Sequence, residues 1–171
     1  LTVASPDEPF TRYGLLAERI ERDPADASWI IYHLRSQARF SDGTPVRARD
    51  VVETFRLIKS QGAPAYQAYF ADVVSVKALT PLTVRFDFRS KNNHELPLIV
   101  GEMSILPRHY WQRHAFDKTS LEIPLGSGPY TIASIDPGRR ITYARNPNYW
   151  GWQLPVNRGL NNFTEVTYRY Y

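Results

Sequence analysis

Phe40-Ser41-Asp42-Gly43-Thr44-Pro45 separates a run that alternates like a strand from a run with helical periodicity, and its reading decides the fold. Asp42-Gly43 reads as a turn former, because aspartate bonds local backbone and glycine adopts conformations closed to other residues. Upstream, Ile30, Tyr32 and Leu34 share one face of a strand from Trp29 to Arg35, while Ile31, His33 and Arg35 share the other. Leu15 to Arg22 is its expected partner across the turn Asp23-Pro24-Ala25-Asp26. Leu1 to Tyr13 shows no period and several turn formers, and reads as a lead-in segment. Downstream of Pro45, Val51, Phe55 and Ile58, with Val52 beside them, make an apolar stripe on a helix from about Ala48 to Ser60. Arg49, Glu53 and Arg56 fall on the opposite side, where their spacing permits favourable pairs, and Gly62 supplies the stop. A short second helix through Tyr66, Tyr69 and Phe70 follows.

The remaining elements are chiefly hairpins. Val74, Val76 and Ala78 alternate with polar neighbours before Thr80-Pro81 turns the chain. Leu82, Val84, Phe86 and Phe88 then point one way and Thr83, Arg85, Asp87 and Arg89 the other, the pattern of a half-buried antiparallel pair. His94 to Gly101 and Arg108 to His114 read as short helices. A second hairpin spans Tyr130 to Ile135 and Arg140 to Arg145, joined by Asp136-Pro137-Gly138-Arg139. Val166, Tyr168 and Tyr170 alternate with Glu165, Thr167 and Arg169 in a last strand that stops mid-pattern. That ending, and a first residue that is leucine, lead to the expectation that the chain is a processed product or an excised piece of a longer one. The pattern predicts an α+β fold of antiparallel hairpins with a few short helices.

Composition narrows the chemistry. The 171 residues allow one domain, or one domain with part of another. The absence of cysteine excludes thiolate metal sites, disulfides and cysteine nucleophiles. No apolar run approaches the roughly 20 residues of a membrane span. The net charge of +4, from 21 Lys+Arg and 17 Asp+Glu, is spread along the chain and reads as solvated faces. His109 and His114 are five apart, off one helical face, and His33 and His94 are isolated, so no metal set is expected. No serine or cysteine nucleophile motif accompanies a histidine, and Gly126-Ser127-Gly128-Pro129-Tyr130 lacks the ending of a phosphate loop. The expectation is a binding scaffold without catalytic residues or cofactor.

Several segments in fixed order carry a resemblance. They are Trp29-Ile30-Ile31-Tyr32-His33-Leu34-Arg35, Ala38-Arg39-Phe40-Ser41-Asp42-Gly43-Thr44-Pro45-Val46, and Asp50-Val51 opening the helix. Gly126-Ser127-Gly128-Pro129-Tyr130 and Arg145-Asn146-Pro147-Asn148-Tyr149-Trp150 continue the series. Together they resemble the extracellular solute-binding proteins of family 5, the peptide, dipeptide and nickel receptors of ABC importers. Met103 to Trp111 and Asn161-Asn162-Phe163 leading to Tyr170-Tyr171 are similar to the YejA-type branch, associated with oligopeptides and microcin C. The family often has threonine at the position of Arg47, which would give a capping box with Asp50; arginine cannot accept those amide bonds.

The resemblance implies the small domain of a dipeptide- or oligopeptide-binding protein of the type II periplasmic-binding class. Residues 1–125 would form a small accessory domain of the first lobe, and residues 126–171 a hairpin and strand leading into the main lobe. It implies an exported, periplasmic receptor that takes a peptide or peptide-like solute to an ABC permease, with this piece alone binding poorly. Tyr66 and Tyr69 sit where related receptors have tyrosines beside the cleft, the alternative being ordinary helix packing at that spacing. Ser127 and Gly128 sit at the crossing into the main lobe, as a ligand-facing hinge or a plain tight turn whose glycines permit positive φ. Trp150 and Trp152 read as packing anchors. Oligopeptide, dipeptide, peptide antibiotic and nickel complex all remain open as ligands. The competing class is a stand-alone module whose basic, aromatic surface meets nucleic acid or protein; in the importer reading no nucleic acid is expected.

Overall fold

The computed structural model describes every residue except Pro6, Pro9, Phe10 and Thr119. Its strands are β1 (Thr2–Ala4), β2 (Arg12–Gly14), β3 (Ala17–Asp23), β4 (Asp26–Leu34), β5 (Val73–Thr80), β6 (Thr83–Phe88), β7 (Tyr130–Asp136), β8 (Arg140–Arg145) and β9 (Glu165–Arg169). The helices are α1 (Ala48–Gln61), α2 (Pro64–Tyr69), α3 (Leu96–Gly101) and α4 (Arg108–Trp111). They make three antiparallel sheets, ordered β1-β2, β3-β4-β6-β5 and β7-β8-β9. This is the expected α+β class.

The four-stranded sheet carries the core. Ile30 pairs with Phe86 and Tyr32 with Val84, so the apolar faces of β4 and β6 coincide and are buried together. Helix α1 closes over that face through Val51 and Phe55. Phe86 meets the rings of Tyr32 and Phe55 edge-on, at centroid distances of 5.9 and 6.2 Å, an arrangement worth about 0.5–1.5 kcal/mol per pair beyond its buried area.

The turn that joins sheet and helix is built from its own residues. Thr44 N–H and hydroxyl both donate to Asp42 Oδ1, at 3.0 and 2.7 Å, and Gly43 takes φ +83°. Phe40 N–H donates to Thr44 O at 2.8 Å. Asp42 also reaches a distant element, its Oδ2 lying 2.7 Å from His109 Nε2.

Buried polar groups then fasten α1 to the segment before α4. Arg47 is extended and offers no side-chain cap; instead Asp50 Oδ2 accepts the Arg47 N–H at 2.7 Å. Asp50 Oδ1 accepts the Arg108 N–H at 3.0 Å. One turn on, the Thr54 hydroxyl donates to Asp50 O at 2.7 Å and accepts from Leu106 N–H at 2.8 Å. Both side chains are buried, so each bond satisfies a group that water cannot reach.

Three expectations need correction. Leu1 to Tyr13 is not a bare lead-in: it supplies β1 and β2, with Leu1 buried and its carbonyl accepting the Leu15 and Ala17 N–H groups. Val74 does not share a face with Val76, because a register shift between Val73 and Ser75 puts Val73 in the core and leaves Val74 64% exposed. The short helices are shorter than read: Asn93 Oδ1 accepts the Glu95 and Leu96 N–H groups, so α3 starts at Leu96, and α4 ends at Trp111. Gly62 stops α1 as read, at φ −72°. Glycine is needed there because a Cβ would stand 2.4 Å from Ile58 O.

The second hairpin forms as read, with Gly138 at φ +72° in its turn, and β9 adds to its outer side. This sheet is thinly covered: Thr142 is its one fully buried strand residue, and Tyr168 is 59% exposed. Trp150 ties it to the rest by packing against the core and donating its Nε1–H to Ser127 O at 3.0 Å. Among the described residues, no helix is long and apolar enough to cross a membrane.

Asp50→Ala should therefore cost about 3 kcal/mol in denaturant unfolding, since it leaves the partly buried Arg47 and Arg108 amides without acceptors. A loss near zero would show that the carboxylate is dispensable. Partial burial pushes the Asp42 carboxyl up, but the Thr44 hydroxyl, the Thr44 N–H and His109 outweigh it and hold it below its ordinary value. A depressed folded value means stabilisation present above the unfolded pKa of about 4 and lost as pH falls through the lower folded value. Asp42→Asn should lower Tm near neutrality, with the difference shrinking below about pH 4. A difference that grows on acidification would contradict the assignment.

Candidate functional site

The abrupt end of α1 creates the candidate site. Gly62 turns the chain at once into Ala63 and Pro64, and proline at the first helical position sets α2 off in a new direction. Gln67 Nε2 donates to Gly62 O at 3.0 Å and braces the corner. Helix α2 itself buries no residue. Its anchor is the next residue, Phe70, which is 3% exposed and packs edge-on against Phe55 at 5.6 Å.

Tyr66 and Tyr69 are thus carried outward rather than packed inward, at 53% and 60% exposure. Neither side chain packs into the core formed by the described residues. Both line an open groove of about 550 Å³ whose apolar wall includes Ile58, Ile99, Met103 and Leu106. Gln61, Ser104 and Glu102 give it a few polar positions, and Glu102 is held by an ion pair with Arg12. An apolar trough with sparse polar groups suits a ligand with both apolar surface and hydrogen-bonding backbone. A phenol can pack on such a chain and bond its amides without selecting its sequence.

Ser127 and Gly128 are not brought to this groove. Gly126 O accepts the Ser41 N–H at 2.7 Å, and Ser127 O accepts the Trp150 indole N–H. This segment is therefore tied to the turn at Ser41 on one side and to Trp150 on the other. The reason given for its glycines does not hold: neither Gly126 nor Gly128 has positive φ, and a Cβ on either would meet open space. Trp152 donates its indole N–H to Asn146 O at 3.0 Å and stacks under Arg145 at 3.7 Å, as a packing anchor would.

Sequence reading missed the far wall of the groove. Ile99 and Met103 come from α3 and the segment after it, forty residues beyond α1, and no local pattern marks them as neighbours of Tyr66. His33 lies 2.6 Å from Glu21, His109 beside Asp42, and His114 between Tyr110 O at 2.7 Å and Glu122 at 3.0 Å. Among the described residues no three metal-ligating side chains converge. Among the basic residues, Arg56 pairs with Glu53 and Arg85 with Asp87.

Comparison with known proteins follows the same line. Over its whole length the chain is 44% identical to a Brucella melitensis protein provisionally named a binding protein, and it covers 28% of that protein. It is 36% identical, again over its whole length, to YejA of Agrobacterium fabrum, provisionally named a peptide-binding protein, and covers 29% of it. The chain thus spans less than a third of the length of the relatives it matches. Among solved structures, NikZ of Campylobacter jejuni, in complex with Ni(L-His), superposes on all of this chain with a TM-score of 0.81. That match covers 33% of NikZ at 20% identity, and so speaks to the fold. Residues 11–171 match the family model of the bacterial extracellular solute-binding proteins, family 5, and the chain belongs to that family.

Proposed function

We propose that this chain is part of the solute receptor of an ABC importer, one that binds peptide-like solutes outside the cytoplasm and delivers them to a membrane permease. Family membership supports a binding rather than a catalytic role. The peptide class is supported by the naming of the Agrobacterium relative. The observation that carries the reading is the pair of outward-facing tyrosines over an apolar trough. Tyr66 and Tyr69 make the ligand contacts from this side. Residues 1–125 serve as the small accessory domain of the first lobe, and Ser127 and Gly128 mark the crossing into the main lobe. The open groove is one wall of a cleft whose other wall lies in the part of the relatives that this chain does not match. Solute and permease are thereby both partners of the longer protein.

The test compares the whole receptor with this chain alone. Short peptides should raise the Tm of the whole receptor and leave the chain alone nearly unchanged. Tyr66→Ala with Tyr69→Ala should weaken peptide binding about tenfold in isothermal titration, the usual scale for paired aromatic anchors. Equal peptide affinity for both polypeptides would overturn the division of labour, and full affinity in the double variant would overturn the tyrosine assignment.

A further inference from the structure

A second groove, of about 660 Å³, opens at the N-terminal end of α1 and differs from the first in charge. Arg47, Arg49, Arg108 and His109 line it, opposite an aliphatic wall that includes Leu79 and Pro81. Arg47 and Arg49 flank the first residue of α1, and Arg108 opens α4; the buried Asp50 and Thr54 bonds hold these two elements together.

Positive charge outweighs negative in this groove, three arginines standing against one carboxylate. Asp50 is the one carboxylate among its lining residues, and each of its oxygens already accepts a backbone N–H. Arg56, Arg85 and Arg89, by comparison, are ion-paired with Glu53, Asp87 and Asp72. Arg47, Arg49 and Arg108 form no ion pair with any described residue. His109 is fixed at the rim by Asp42. Beside them Leu79 is 50% exposed, near the end of β5, the outer strand of its sheet.

We propose that this groove docks an acidic polypeptide segment, whose carboxylates pair with Arg47, Arg49 and Arg108 while an apolar side chain covers Leu79 and Pro81. Guanidinium forks match carboxylates two bonds at a time, and several carboxylates along one segment can engage three separated arginines. A lone oxyanion would use the charge and leave the aliphatic wall in water. This site is separate from the tyrosine groove and takes a different ligand.

The probe is a fluorescein-labelled peptide, Glu-Asp-Leu-Asp-Glu, titrated against the whole receptor by fluorescence anisotropy. Comparison peptides replace the acids by amides or the leucine by glycine. Binding should weaken about tenfold in Arg49→Glu, an exposed position, and fall as salt rises. The titration is run in the Tyr66→Ala, Tyr69→Ala background, so that peptide held by the tyrosine groove does not contribute, and binding there should be weaker for both comparison peptides. Three results would each overturn the proposal: undiminished binding in Arg49→Glu, equal binding of the amide peptide, or equal binding of the glycine peptide. Competition by inorganic phosphate at the concentration at which the unlabelled peptide competes would likewise replace it with a simple oxyanion site.

Discussion

The face of β4 and β6 that presents Tyr32, Val84 and Phe86 is shielded from water by α1, and the rest of the chain is placed by that contact. Sheets with one apolar face need such a cover. The turn from Phe40 to Pro45 sets where the helix begins, and the edge-on rings of Tyr32, Phe86 and Phe55 fix how it lies. A helix held so closely has two well-placed ends. One ends in the corner at Gly62 that launches the tyrosines; the other carries the arginines. Both grooves are consequences of a single packed element.

Polar groups inside this arrangement do a different job from the apolar ones. Burial brings α1 to the sheet, but hydrogen bonds from Asp50 and Thr54 set its register against Leu106 and the start of α4. Because an unsatisfied buried amide is costly, that register has few alternatives. The Arg47 position illustrates the point. The side-chain cap is missing, yet the helix start is secured from inside by the carboxylate three residues on.

Much of this was legible in the residues. The alternation in β4 and β6, the helical stripe of α1 and the Asp42-Gly43 turn are local patterns, and the structure follows them closely. What escaped was of two kinds. Short elements carry too few residues to show a period, and β1 and β2, at three residues each, passed as irregular chain. Irregular pairing shifts a pattern without announcing itself, as at Val74. Distant partners leave no local trace at all: Arg108 is 58 residues from Asp50, and Leu106 is 52 from Thr54. For the candidate site, the tyrosines could be named from resemblance, but their outward direction depends on the Gly62 corner. Ser127 and Gly128 stood close to them in no sense that the sequence could have revealed.

Helix α2 is suspended between two abutments, the cramped glycine corner on one side and the Phe70 plug on the other, with nothing of its own sunk into the interior. A span of that kind can tilt or slide while both supports stay put, because its displacement sacrifices almost no apolar contact. The aromatic pair it carries is therefore supported only at its two ends, while the framework behind it keeps its packing.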